Sequence, residues 1–487
     1  MLESTLSLTR PQARVLGFAG DTALLGAAAI FVALTFMMFG FWALLLLGYA
    51  LMAAWAVVHP QSFLLSLLTA MIAVDPGVTS ASSPISLALY TLPPGAEALI
   101  PYTVSPLEIA LVIATASLAV RAGTAPVRLP ALVWALPAVV AAGVAYGIWK
   151  GAPSNLAYIE ARGLIFGAVV FLAAIKMRDM SPTWVMRSIM LGTSTLAVVI
   201  LAQSSTFSGA SQDLAFAHEG VALLAIGAML GVAMLLRAGS DSSRLLIVAY
   251  ELLILAAMGS TGRRSATLVV IAALAVVLAL LFMKRPSLAL ALTLVGGVLT
   301  TGYLGTYWNQ EYGSLAQPAR AIRAFFDDAP ARDTSSDTYR DFETDNVLAT
   351  ISVSRNFGVG FGREFAFYWP LPDLTEFWPL QHFTPHNNVL WLWLKMGIVG
   401  ISVMLGVWML ALSRCIRAVR EAPHREFPVV PVALAATLAI MFAYNWVDIG
   451  LASTRGVAPI AIALALSFTL LTGSREPVEE ATDEVAA

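Results

Sequence analysis

The sequence predicts an all-α polytopic membrane protein with about 12–14 transmembrane helices and one large loop on the outer face. Three observations lead to this fold class. Hydrophobic residues make up 59% of the chain and charged residues only 12%, whereas an average soluble domain is about one quarter charged. The apolar residues are gathered in runs of about 20, the length that crosses a bilayer. A single long polar stretch, 307–386, interrupts these runs late in the chain.

The predicted spans are the apolar runs that lie between charged residues, prolines and glycines. In chain order they are 22–39, 41–58, 61–75, 106–121, 129–147, 161–176, 184–203, 215–236, 243–259, 265–283, 287–306, 388–413, 428–446 and 453–472. The first three are crowded, and a re-entrant pair is the alternative interpretation for two of the early segments.

The distribution of basic residues predicts the orientation of these spans. With the N-terminus in the cytoplasm, the cytoplasmic loops contain Arg121 and Arg128; Lys176, Arg178 and Arg187; Arg237 and Arg244; Lys284 and Arg285; and Arg414, Arg417, Arg420 and Arg425. The outward loops 76–105 and 204–214 contain no Lys or Arg, and Lys150 is a lone exception in the outward loop after Trp149. Because cytoplasmic loops are enriched in Lys and Arg, this pattern places 307–386 outside.

The spans divide the chain into four parts. Residues 1–306 are predicted to form an N-terminal transmembrane bundle, 307–386 the large loop, 387–473 the C-terminal transmembrane helices, and 474–487 a disordered cytoplasmic tail. Within the loop, 315–326 is predicted to be helical. The acidic residues of the loop form no compact ligand set, so they are interpreted as solvated, and no metal site or cofactor is predicted. The net charge of −2 favours no nucleic-acid partner.

Charged residues at the predicted outer ends of three spans are the candidates for function, because charges at membrane depth are costly. They are Arg162, the pair Arg263 and Arg264, and His386. Arginine binds phosphate or pyrophosphate bidentately and stays charged, and histidine near neutral pH accepts a proton from a hydroxyl. Together these residue types predict the transfer of a group from a phosphate-linked donor to a hydroxyl acceptor.

Each candidate also has a structural interpretation. An arginine such as Arg162 at a helix end is typical of an interfacial anchor, and a histidine at a helix start is typical of a cap or a packing residue. Arg263 and Arg264 fit that interpretation less well, because they lie outside against the general charge pattern. Lys395 is predicted to pair with a buried acid or carbonyl, and Asp448 is the candidate acid.

Three segments resemble motifs of the O-antigen ligase and polymerase superfamily. The segment from His386 to Gly400, HNNVLWLWLKMGIVG, follows the family pattern of His, then Asn, Ser or Gln, nine residues, Gly, two residues and Gly. The segment RSATL from Arg264 resembles the family's Arg-x-x-x-Leu, and Arg263 occupies a place where members often have Ser, so either arginine fits the motif. The stretch NFGVGFG from Asn356 is similar to a Gly-rich stretch of the family's large loop.

The resemblance implies a metal-independent membrane glycosyltransferase of the bacterial inner membrane, with its site and its large loop facing the periplasm. The implied donor is a glycan linked to undecaprenyl pyrophosphate. His386 and Arg264 are implied to be catalytic, acting on the acceptor hydroxyl and on the leaving pyrophosphate. Arg263, Arg162 and Asn387 are implied to bind substrate, while Gly397 and Gly400 would let neighbouring helices approach closely.

The acceptor separates two interpretations of this resemblance. With lipid A–core as the acceptor the protein is an O-antigen ligase, which the full match of the His386 segment favours. With a second lipid-linked glycan as the acceptor it is a polymerase of O-antigen or exopolysaccharide repeat units. A membrane transporter or flippase is the alternative without bond chemistry. It is less favoured, because the candidate residues cluster at the outer surface rather than at the midplane.

Overall fold

The structure is a computed structural model that describes residues 47–74, 89–90, 104–121, 129–176, 182–206, 219–237, 240–311, 313–326, 331–375, 378–423 and 427–470. The predicted span 22–39 and the predicted tail 474–487 lie outside these residues. The fold is built from helices, and the described part of the chain contains no strand. We number them α1 Leu47–Val58, α2 Pro60–Ala73, α3 Pro106–Arg121, α4 Ala131–Trp149, α5 Ser154–Lys176, α6 Pro182–Thr206, α7 Gly220–Leu235, α8 Asp241–Ser260, α9 Arg264–Lys284, α10 Pro286–Tyr307, α11 Gln317–Arg323, α12 Ala331–Ser354, α13 Asn388–Glu421, α14 Val429–Val447 and α15 Thr454–Thr469.

The helices pack into a bundle, and many of them are long enough to span a membrane. Within the described ranges, the helices that are long and apolar enough to cross a membrane are α4, α5, α6, α8, α9, α10, α13 and α14. Shorter apolar helices are α1, α2, α7 and α15. The helices that extend farthest beyond their predicted spans are α5, which begins at Ser154, and α13, which continues to Glu421. The prediction of an all-α polytopic membrane protein is confirmed.

The chain between α10 and α13 is more ordered than the sequence predicts. The predicted helix 315–326 is present as α11, with a 3₁₀ turn on each side. The sequence does not predict α12, a 24-residue helix that packs against α13. This helix is polar overall, yet Glu343, Asn346, Val347 and Ile351 on one of its faces are buried. We call the end of the bundle that carries α11 and α12 the loop end.

Gly397 interrupts α13 near its start, and the glycine-rich stretch occupies the gap. Gly397 has φ +66° and ψ −169°, a conformation that residues with a Cβ rarely adopt. Three backbone hydrogen bonds of 2.7, 3.1 and 3.0 Å join residues 355–360 to residues 394–398 across the gap. A Cβ on Gly397 would lie only 2.1 Å from the carbonyl oxygen of Asn356. The absence of a side chain at Gly397 therefore lets the glycine-rich loop pack directly against α13. The sequence predicts instead that a neighbouring helix approaches this glycine.

Candidate active site

The start of α13 fixes the position of His386 at the loop end. Asn387 is the N-cap of this helix, and its side-chain Oδ1 accepts hydrogen bonds from the N–H groups of Val389 and Leu390 over 3.1 and 3.0 Å. An N-cap of this kind satisfies backbone donors that the first turn leaves unpaired. The cap therefore sets the direction in which the chain enters α13, and His386 is the residue immediately before it.

His386 is paired with Glu343, a buried carboxylate on α12. The backbone N–H of His386 donates to Glu343 Oε2 over 2.8 Å, and the ring Nδ1 lies 3.2 and 3.1 Å from the two carboxylate oxygens. The Glu343 side chain is 2% exposed and the His386 side chain 15% exposed. Because carboxylate oxygens only accept, this geometry assigns the ring hydrogen to Nδ1. The other ring nitrogen, Nε2, is then the one that can accept a proton.

Two aromatic side chains pack edge-on against the His386 ring. The ring centroids of Trp378 and Tyr339 lie 4.9 and 5.7 Å from that of His386. Burial and the neighbouring Glu343 carboxylate raise the pKa of Tyr339 to about 12. Its hydroxyl therefore stays protonated at neutral pH and accepts a hydrogen bond from Gln381 Nε2 over 3.1 Å. These contacts fix the orientation of the imidazole without adding a second base beside it.

Arg264 lines a polar cavity at the loop end and is bound by Asp337 of α12. Its guanidinium NH1 and NH2 donate to the two Asp337 carboxylate oxygens over 2.8 and 2.6 Å. This bidentate geometry is also the one in which arginine binds phosphate. The cavity measures about 210 Å³, and its other polar lining residues are Ser265 and Arg340. The cavity thus offers two guanidinium groups and a hydroxyl, with one carboxylate as counter-charge.

Helix α12 connects the Arg264 cavity to His386. Asp337 contacts Arg264 and Glu343 contacts His386, and these two acids are six residues apart on one helix. At 1.5 Å per residue, that separation is about 9 Å along the helix axis. The structure therefore brings both predicted catalytic residues against the same helix. In the described residues, no three His, Cys, Asp or Glu side chains are grouped as metal ligands would be.

The structure places Arg162 in a separate polar network. Its guanidinium donates to both carboxylate oxygens of Glu108 over 2.7 Å each, and Glu108 is fully buried. Glu108 also accepts from the Thr454 hydroxyl over 2.6 Å and from the Ser105 N–H over 2.8 Å. Arg162 thereby joins α3, α5 and α15 at the loop end. This contact gives Arg162 a structural role, and its role in substrate binding stays a prediction.

Arg263 and Arg264 occupy different positions in the turn between α8 and α9. Gly262 has φ +67°, which lets the chain reverse within this short turn. Arg263 is the N-cap of α9, with extended backbone and no side-chain cap bond. Arg264 is the residue of this pair that lines the cavity. The geometry favours Arg264 as the arginine that the Arg-x-x-x-Leu motif describes.

A buried ion pair holds the glycine-rich stretch beneath the site. Lys395 Nζ lies 2.9 Å from Glu160 Oε1, and both side chains are fully buried. Glu160 also accepts from the N–H of Gly362 over 2.6 Å and from Trp391 Nε1 over 2.8 Å, and Lys395 donates to the Arg363 carbonyl. The acid paired with Lys395 is therefore Glu160, and the predicted partner Asp448 is wrong. Sequence spacing gives no sign of this pair, because its members are far apart in the chain.

Replacing Lys395 alone with methionine is expected to destabilise the protein by about 3–5 kcal/mol, because the Glu160 carboxylate would remain buried without its cation. The double variant Lys395→Met/Glu160→Gln removes both charges and is expected to recover most of this loss. Thermal unfolding of the purified protein in detergent, followed by tryptophan fluorescence, measures both. Equal destabilisation by the single and the double variant would show that the two residues are not coupled.

Comparison with known proteins identifies a family over the part of the chain that forms this site. Residues 249–405 match a family model described as O-antigen ligase. The matched segment contains α9 and α12 completely and the start of α13, and so includes both Arg264 and His386. No curated protein matches the chain.

Proposed function

Because residues 249–405 match a family model described as O-antigen ligase, we propose that the protein transfers a glycan from an undecaprenyl-pyrophosphate-linked donor to a hydroxyl acceptor. The reaction takes place at the periplasmic face of the bacterial inner membrane, and lipid A–core is the favoured acceptor. The observation that carries this proposal is the pairing of His386 and of Arg264 with two carboxylates of α12. These two carboxylates, which contact the proton acceptor and the anion-binding group, are six residues apart on α12, about 9 Å along the helix axis.

The proposed step begins with His386 as the general base. Nε2 accepts the proton of the acceptor hydroxyl as its oxygen attacks the anomeric carbon of the donor glycan. A new glycosidic bond forms, the bond from that carbon to the pyrophosphate oxygen breaks, and its electron pair leaves with the pyrophosphate. Attack from the side opposite the leaving group inverts the anomeric centre. Glu343 holds Nδ1–H and stabilises the imidazolium that forms, so it acts as a positioning residue.

Arg264 is proposed to bind the pyrophosphate and to stabilise the charge that develops as it leaves. In the structure the Arg264 guanidinium donates two hydrogen bonds to the Asp337 carboxylate, in the bidentate geometry that a phosphate would adopt. Donor binding at Arg264 therefore requires Asp337 to move aside, and Arg340 and Ser265 lie in the same cavity to receive the second phosphate. Arg263 and Arg162 remain proposed contributors to donor binding.

Asn387 is proposed to contact substrate through its amide nitrogen only. Its Oδ1 already accepts two backbone hydrogen bonds at the start of α13. The side-chain Nδ2 is adjacent to His386 in the chain and can donate to a sugar hydroxyl. In the proposed reaction arginine side chains, rather than a metal ion, neutralise the leaving pyrophosphate, and the lipid-linked glycan takes the place of a nucleotide sugar as the donor.

The product distinguishes a ligase from a polymerase. Purified protein in proteoliposomes receives undecaprenyl-pyrophosphate glycan with or without lipid A–core. Capped lipid A–core, formed only when that acceptor is present, supports the ligase. A ladder of chain lengths on the undecaprenyl carrier, formed without lipid A–core, identifies a polymerase that uses the same site. The absence of both products, together with movement of lipid or solute across the membrane, would support a transporter instead.

Replacing Glu343 with glutamine is expected to lower kcat by about 10²-fold without changing either KM. The carboxylate presents two acceptors to two donors, the backbone N–H and the Nδ1–H of His386. An amide presents one acceptor and one donor, so it breaks one of these bonds or forces the hydrogen onto Nε2. Glu343→Asp keeps both acceptors and is expected to recover part of kcat. Wild-type kcat in the glutamine variant would rule out the positioning role.

A further inference from the structure

A second polar cavity lies at the loop end, beside the C-terminal end of α12. It measures about 560 Å³ and is lined by Tyr146 and by residues 352–358. This cavity is separate from the Arg264 cavity, with which it shares no lining residue. From Glu343 to Ser352 the helix advances by about 14 Å at 1.5 Å per residue. His386 therefore contacts α12 between two polar cavities, one toward each end of this helix.

One basic side chain lines the second cavity, and two others lie beside it. Arg355 lines it and is exposed. Lys150 Nζ lies over the ring of Tyr146, which also lines the cavity, at 5.6 Å, and Arg363 NH1 donates to the Lys150 carbonyl over 3.0 Å. Glu364 is the acidic residue next to this group. Lys150 is also an exception to the charge pattern of the outward loops, and a site for an anion explains its position.

The backbone that presents Arg355 is rigid. The carbonyl of Arg355 accepts from the N–H of Ile398 over 3.0 Å and from Trp393 Nε1 over 3.2 Å. Both bonds are made at the Gly397 gap in α13, which holds the residues that follow Arg355 as well. A preorganised backbone lowers the entropy lost on binding. The cavity is therefore a built feature of the fold.

Exposed aromatic rings flank the cavity at the helix end. Trp149 is 75% exposed and Phe357 is 70% exposed. The rings of Tyr146 and Phe357 lie 6.4 Å apart, and Lys150 Nζ is 4.8 Å from the Trp149 ring. Large aromatic side chains at the end of a spanning helix are typical of the membrane–water boundary. A ligand held here thus has its charged group at the boundary and its apolar part in the membrane.

From these observations we infer that the cavity lined by Arg355, with Lys150 and Arg363 beside it, binds the phosphate of the acceptor lipid. This inference rests on the proposed function, in which both substrates are lipids anchored in one membrane. Each candidate acceptor, lipid A–core or a second undecaprenyl-pyrophosphate glycan, has phosphate where its sugars meet its lipid. The donor phosphates occupy the Arg264 cavity and the acceptor phosphates occupy the second one. The acceptor sugars then extend along α12 to His386.

The test is a triple variant, Lys150→Gln/Arg355→Gln/Arg363→Gln, which removes the charges and keeps long polar side chains. We expect the KM for the phosphorylated acceptor to rise at least about 10-fold, because charge-assisted bonds to phosphate are lost. The KM for the donor and kcat are expected to stay within twofold. Acceptor lipid from which the phosphates have been removed should show the raised KM with wild-type protein, and the triple variant should raise it no further.

The matched control is Arg244→Gln/Arg417→Gln/Arg420→Gln, which removes the same charge from exposed arginines at the opposite end of the bundle. It should leave both KM values unchanged. If the first triple variant leaves the KM for the acceptor unchanged, or raises only the KM for the donor, the proposed acceptor site is wrong. Binding of phosphorylated lipid A–core to the same two triple variants, measured by native mass spectrometry, gives a readout that needs no turnover. Transfer that survives His386→Ala would instead reject the proposed function.

Discussion

His386→Ala is expected to lower kcat for glycan transfer by about 10²–10⁴-fold, the usual contribution of a general base. The acceptor hydroxyl would lose the group that takes its proton, while the donor would still bind at Arg264. The KM for the donor is therefore expected to change little. Steady-state rates of product formation in detergent micelles, with each substrate varied in turn, measure both parameters.

The matched control for this experiment is His59→Ala. His59 is exposed at the start of α2, and the neighbouring Val58 carbonyl accepts a bond from Arg121, a residue of the predicted cytoplasmic side. Its replacement should leave kcat unchanged. A folded His386→Ala variant with wild-type kcat would show that the imidazole takes no part in the reaction.

Arg264→Lys is expected to lower kcat/KM by about 10²–10³-fold, the range measured when one donor to a developing negative charge is lost. Lysine keeps the positive charge but cannot form the two parallel bonds that guanidinium makes with a phosphate. The loss should exceed that of Arg263→Lys, because Arg264 is the one that lines the cavity. Kinetics with the donor varied at saturating acceptor measure the effect.

Asp337→Asn tests the same site, and its expected effect on the KM for the donor is opposite to that of Arg264→Lys. It weakens the bond that occupies Arg264 in the structure, so the KM for the donor should fall. The Arg264→Lys and Asp337→Asn variants should therefore shift this KM in opposite directions. An unchanged donor KM in both variants, together with a lower unfolding temperature, would show that the pair only stabilises the fold.

The membrane spans were largely predictable because a bilayer imposes their length and composition. The predicted run 265–283 and the helix Arg264–Lys284 differ by one residue at each end. The basic residues of the loops predict the orientation by a similar argument, since their position depends on the membrane rather than on tertiary contacts, and that orientation stays a prediction. The segments that carry His386 and Arg264 were found from short motifs, which need no knowledge of the fold.

Helix α12 could not be recognised from hydropathy, because its buried face mixes polar with apolar residues. Tyr339, Glu343, Asn346 and Thr350 recur at helical spacing. Polar side chains can be buried only if other parts of the chain satisfy them. Asn346 Nδ2 donates to the Trp369 carbonyl over 2.9 Å, and the Thr350 hydroxyl accepts from the Ala366 N–H over 2.9 Å. These partners depend on the tertiary fold, and so do Glu343 and Asp337 as partners of the catalytic candidates.

The Gly397 segment shows a similar limit. Its motif was visible in the sequence, but a motif does not say which part of the chain approaches a glycine. The structure shows that the approaching chain is the glycine-rich stretch that precedes His386. Two segments that resemble family motifs are thus in direct contact with each other. Lys395 lies in the same region, and its partner Glu160 comes from α5, more than 200 residues earlier in the chain.

The central claim is that the protein makes a glycosidic bond and releases a lipid pyrophosphate. The most direct measurement follows both products in detergent micelles, where there is no second compartment into which a substrate can be moved. Undecaprenyl-pyrophosphate glycan and lipid A–core are supplied, and mass spectrometry quantifies free undecaprenyl pyrophosphate and glycan-capped acceptor. We expect the two products in equal amounts with wild-type protein, and at least about 10²-fold slower formation of both with His386→Ala. No release in micelles, together with lipid movement in proteoliposomes, would contradict transfer and indicate a transporter.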